Sequence, residues 1–205
     1  LFFAKQLEKP ICPMASAALA KWRDERARSL DEMVRAHQMI GGTGRGRRFA
    51  TQQLNHAYAV LLSSQFQAFC RDLHTECLIH IVRNVQPAYV AQLLKAEFSS
   101  NRKLDKGNPN PGNIGNDFNR FGVDLWDVLK KRYAGNTMRH DCLIELNIWR
   151  NAIAHNDFSS DKLGGRTELY LYEVRRWRNA CDRLAQEMET VLGNHLTTVM
   201  GVAPW

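Results

Sequence analysis

An arginine, an asparagine and a histidine stand close together in the run Leu146-Asn147-Ile148-Trp149-Arg150-Asn151-Ala152-Ile153-Ala154-His155-Asn156-Asp157. Arg150 is a permanent cation whose forked donors match a phosphate. Asn151 offers an amide that both donates and accepts. The imidazole of His155 can move a proton near neutral pH. Together they are a toolkit for a phosphodiester. The apolar spacing predicts the last three turns of a helix that runs into a polar turn. On an ideal helix Arg150 and His155 project about 140° apart, whereas Asn151 and His155 share a face. Cys142, Leu146, Trp149 and Ile153 form the stripe expected to face the core. Ile144, Ile148, Asn151 and His155 form a second strip on the far side, where a partner would pack. The long stem of Arg150 can carry its guanidinium round to that strip.

Other residues compete for these roles. Three Arg-Asn pairs occur, at Arg83-Asn84, Arg150-Asn151 and Arg178-Asn179, but among all the arginines only Arg150 is followed by a histidine four to six residues on. His140 would begin the same helix, about 22 Å from His155 along its axis, too far to share one centre. His56 opens a long helix and joins the site only if the fold brings it there. Cys70, His74 and Cys77 share one helix side, but thiols on an apolar face pack as core groups and a fourth ligand is needed. No metal and no cofactor is expected.

The run Arg-Asn-x-x-Ala-His resembles the R-x(4–6)-H signature of HEPN domains, including the polar residue directly after the arginine. Upstream, Leu54-Asn55-His56-Ala57-Tyr58-Ala59-Val60-Leu61-Leu62-Ser63 is similar to the subset called RiboL-PSP-HEPN. So are Gly107-Asn108-Pro109-Asn110-Pro111-Gly112-Asn113-Ile114, Phe118-Asn119-Arg120-Phe121-Gly122 and the ending Gly201-Val202-Ala203-Pro204-Trp205. The resemblance covers residues 50 to 205. It implies a homodimer whose two motif helices meet in one cleft, with Ile144 and Ile148 in the interface. It implies a metal-independent endoribonuclease in which Arg150, Asn151 and His155 are catalytic and the products carry 2′,3′-cyclic phosphate and 5′-hydroxyl ends. Such domains often serve as toxins with a separate antitoxin, or as effectors of phage defence. The competing expectation is a non-catalytic dimeric helical module that binds RNA or a protein partner.

The elements that must position these residues read as an all-α helical bundle with long core helices and an extended Asn/Gly/Pro-rich loop. An arm over residues 1–15 would precede one domain over 16–205. Ser16 can cap a helix over 17–40. A long helix over 51–85 places Tyr58, Leu62, Phe66, Phe69, Leu73 and Cys77 on one face. Pro87 starts a short helix to about Phe98. Residues 99–115, rich in Asn, Gly and Pro, are expected to be irregular. A short helical segment capped by Asn116 or Asp117 follows, then a helix over 123–133, then the motif helix capped by Asn136 or Thr137. Residues 167–172 alternate briefly, but the start of a last helix to about Met200 is the preferred reading.

The balance of 28 Lys+Arg against 21 Asp+Glu, a net charge of +7, suits a polyanionic partner such as RNA and equally a soluble basic surface. Arg45, Arg47 and Arg48 in a glycine-rich loop could hold a nucleic-acid backbone, or the loop is a plain linker. Arg175, Arg176 and Arg178 could flank an RNA groove, or be ordinary surface charge. Five scattered cysteines without a C-x-x-C pair suggest reduced thiols and a cytoplasmic setting. No run reaches the roughly 18 apolar residues of a membrane helix, and Leu1-Phe2-Phe3-Ala4 is too short for a signal-peptide core.

Overall fold

A computed structural model describes residues 15–41 and 49–205. Residues 1–14 of the proposed arm, including Cys12, and Arg45, Arg47 and Arg48 lie outside the described residues. Every regular element among the described residues is helical. In chain order these are α1 (Ala17–Lys21), a π-helical turn (Trp22–Arg26), α2 (Ala27–Gly41), α3 (Phe49–Val82) and α4 (Ala88–Ser99). Then follow α5 (Lys103–Lys106), α6 (Pro111–Asn119), α7 (Leu125–Arg132), α8 (Gly135–His155) and α9 (Leu171–Met200). No described helix is long and apolar enough to cross a membrane.

α3 is the axis of the bundle. All six residues expected on its core face are buried, and so are Ala59, Cys70 and Leu78. It is enclosed because α1 and α2 pack on it as well as α8 and α9. Trp22 supplies the join, its ring set 5.6 Å from that of Phe66 and 5.7 Å from that of Phe69. Its indole N–H donates to Asp182 at 3.0 Å. The expected single helix over 17–40 is broken by the wider π turn, which carries Trp22 and Arg26 with both side chains buried. Arg26 pairs with Asp72 on α3 at 2.7 Å.

The start of α1 is held by three side chains. The Ser16 hydroxyl accepts from Leu19 N–H, as expected, while Glu76 accepts from Ala17 and Ala18 and Glu189 accepts from Ser16. The four orphan donors of a helix start are thus largely satisfied from two other helices.

The expectation of irregular structure over 99–115 is corrected: α5 and the first turn of α6 lie inside it. Pro111 takes the first helical position, where its missing N–H costs nothing, and Asn110 caps by accepting from Asn113 N–H at 2.8 Å. Asp117 is not a cap of its own helix. Its buried carboxylate accepts from Lys103 and Leu104 N–H, both at 2.8 Å, and so caps α5. The intervening residues 107–110 are strapped down. Gln67 of α3 donates to the carbonyls of Leu104 and Gly107, and Asn147 of α8 donates to that of Pro109.

α8 begins at Gly135 without a side-chain cap, so the expected caps Asn136 and Thr137 both lie inside its first turn. Residues 167–170 are irregular, and the last helix starts at Leu171. Glu173 reaches back to accept from Tyr170 N–H at 2.9 Å. α8 and α9 run antiparallel as a hairpin, since Glu145 bonds Arg176 and Trp177 while Arg132, just before α8, pairs with Glu187.

Candidate functional site

α8 spans 21 residues and divides as its periodicity predicts. Cys142, Leu146 and Trp149 are buried and Ile153 is half-buried, whereas Asn151 and His155 are exposed and Ile144 and Ile148 are each 39% exposed. The second strip therefore lies on the surface. Residues 107–110 adjoin it through the hydrogen bond from Asn108 to Asn151.

Arg150 is half-buried, and its Nη1 donates to Asn151 Oδ1 at 3.3 Å. The same oxygen accepts from Asn108 Nδ2. Two donors on the carbonyl oxygen fix the orientation of the Asn151 amide and leave its NH₂ without a partner among the described residues. His155, one turn on, has no hydrogen-bond partner among the described residues. The imidazole is accessible.

α8 ends in a Schellman-type turn. Asn156 adopts the left-handed conformation at φ 51°, tolerable for asparagine, and Asp157 N–H bonds back to the Ala152 carbonyl at 2.9 Å. The turn folds Asp157 and Lys162 over the last helical turn, where they form an ion pair. Lys162 holds the Asp157 carboxyl below its usual range, with smaller help from Ser159 N–H and the charge of His155. Ile148, Asn151, Ala152, His155, Asp157 and Lys162 enclose a groove of about 390 Å³. Arg150 does not line it. One chain thus brings Asn151 and His155 together and links Arg150 to them only through Asn151.

The competing histidines lie elsewhere. His56 is buried and stacks on Phe158 at 5.1 Å, supporting the turn after α8, and burial lowers its pKa. His140 packs against Trp126 at the other end of α8. His74 lies in the core with Cys70 and Cys77, whose thiols are pushed up by burial. No cluster of three or more metal-ligating side chains occurs among the described residues.

The three arginines of α9 part ways. Arg178 is committed to the fold, pairing with Asp31 at 2.6 Å and donating to the Tyr58 hydroxyl at 3.3 Å. Arg176 pairs with Glu145. Arg175 is exposed.

Sequence reasoning missed Asn108, Asp157 and Lys162. Asp157 and Lys162 follow the motif directly and could have been found from the turn. Asn108 is 43 residues from Asn151, and nothing local ties the two.

Comparison with known proteins adds no relative: no family model matches the chain, and neither a curated protein nor a solved structure matches it.

Proposed function

We propose that the chain is a metal-independent endoribonuclease of the HEPN type. The observation that carries the reading is the joint state of four side chains. Arg150 and Asn108 hold the Asn151 amide by its oxygen, and His155 stands exposed and unpartnered in the same groove. The nucleophile is the substrate's own 2′-hydroxyl. An imidazole of His155 takes its proton as the oxygen attacks phosphorus. The bond from phosphorus to the 5′-oxygen breaks, and that oxygen receives a proton. Arg150 and the free Asn151 NH₂ stabilise the charge that gathers on the phosphoryl oxygens. The products are a 2′,3′-cyclic phosphate and a 5′-hydroxyl. DNA lacks the nucleophile and is not cut.

A two-fold homodimer completes this site. Arg150 lies off the groove of its own chain, while Ile144 and Ile148 leave an apolar ridge exposed beside Asn151 and His155. Pairing the ridge with its copy buries the isoleucines and brings two imidazoles together, one for each proton transfer. The same displacement of Arg150 favours the second reading, a dimeric helical module that binds RNA or a protein partner without cutting. In the nuclease reading the setting is a toxin or defence effector, held in check by a separate antitoxin.

The test is cleavage of mixed RNA in EDTA by wild type, His155→Ala and Arg150→Ala. Removal of one such group costs about 10²–10³ in rate. Cyclic-phosphate ends from wild type and loss in both folded variants are expected. Equal inertness of all three moves the binding module ahead, and equal cutting by all three refutes the assignment.

A further inference from the structure

A second groove follows the seam between α8 and α9, separate from the His155 groove. It encloses about 440 Å³ and is lined by Arg139, Arg175, Arg176 and Arg183, with Met138, Cys142 and Ala180 among its apolar residues and no carboxylate in its lining. Two of the guanidiniums are held in place. Arg176 is fixed by Glu145, and Arg139 donates to Asn136 at 2.8 Å and lies 4.8 Å from the centre of the Tyr133 ring. Arg175 and Arg183 are exposed and have no ion-pair or hydrogen-bond partner among the described residues. Glu145 neutralises Arg176, and the other three like charges around the groove repel one another unless an anion sits between them.

An aromatic platform completes it. Tyr172 also lines the groove, is 68% exposed, and lies nearly parallel to Tyr170 with ring centroids 5.8 Å apart. Guanidiniums beside an exposed aromatic suit a strand whose phosphates are accessible and whose bases are unstacked. We infer that the α8–α9 seam binds single-stranded RNA, with its phosphates on Arg175 and Arg183 and a base on Tyr172.

The seam also leads to the motif. Met138, Glu145 and Ala152 are seven apart and therefore share one side of α8. Met138 lines the arginine groove, Glu145 anchors Arg176, and Ala152 lines the His155 groove. The distance from Met138 to Ala152 is about 21 Å along the helix. A bound strand thus runs from the arginines towards His155. Its binding is independent of cleavage; only the position of the cut rests on the nuclease reading.

The experiment uses the full chain carrying His155→Ala, so that no substrate is lost, and fluorescence anisotropy with labelled polyuridylate. Arg175→Ala with Arg183→Ala is expected to weaken binding at least tenfold at low salt. Two lost phosphate contacts flatten the slope of log affinity against log salt by about 1.4. Tyr172→Ala weakens binding about tenfold without changing that slope. The control is Lys95→Ala with Lys130→Ala, two exposed cations on α4 and α7. Unchanged binding in the arginine variant, or an equal loss in the lysine control, overturns the assignment. Displacement of the RNA by polyglutamate at equal charge overturns it in favour of an acidic polypeptide. If wild type cuts nothing while the arginine variant still loses RNA, the nuclease reading falls and the groove stands.

Discussion

His74 should make the protein lose stability in mild acid. It is fully buried on α3, 5.6 Å from the Phe118 ring and 4.5 Å from the Phe121 ring. Burial first, then the charges of Arg102 and Arg120, lower its pKa from 6.5 to about 4, while the Asp117 backbone and Asp105 pull weakly the other way. Well above pH 6.5 the imidazole is neutral in both folded and unfolded chains and adds no pH dependence. As pH falls through the window from 6.5 to about 4, the unfolded chain takes the proton and the folded chain does not. Stability therefore drops by up to about 1.4 kcal/mol per pH unit, about 2 kcal/mol by pH 5. Below the folded pKa the loss levels off. Glu76 and Asp182 work against this trend, because burial raises their carboxyl pKa values and the folded chain then takes their protons first. The comparison that isolates the histidine is His74→Leu, which keeps much of the volume and removes the titration. Urea unfolding of both proteins should give a smaller acid loss for the variant, by about 2 kcal/mol between pH 7 and pH 5. An acid loss as large in His74→Leu as in wild type would refute the reasoning.

Two further perturbations test how the loop segment serves the motif. Asp117→Ala strips the acceptor from the N–H groups of Lys103 and Leu104, and should cost about 3 kcal/mol, roughly 6–12 °C in thermal midpoint by calorimetry. Asn108→Ala removes a donor from Asn151 Oδ1; stability should fall by only about 1 kcal/mol. Its RNA cleavage rate in single turnover should fall about tenfold, and Asn108→Asp, which faces one oxygen with another, should be worse still. Wild-type rates in both variants would remove Asn108 from the site.

Periodicity marked the core of α3, the buried stripe of α8 and its exposed second strip, because helical projection depends only on spacing. Ser16 was legible as a cap for the same local reason. Composition misled over residues 99–115. Asn and Pro disfavour helix interiors, yet at Asn110 and Pro111 they start one. Arg175, Arg176 and Arg178 look alike in sequence, and only the fold separates them. Asp31 comes from α2 and Glu145 from α8, so Arg178 is spent on structure, Arg176 is paired and Arg175 stays open.

Helical periodicity alone marks an all-helical chain and places Asn151 and His155 on one accessible face, since four-residue spacing is enough for that. Packing of the helices is what lets Asn108 grip Asn151 and makes four arginines from two helices meet along one seam. Those are contacts between residues far apart in the chain. They are set by which helices the buried faces of α3, α8 and α9 bring together, and no local pattern encodes that choice.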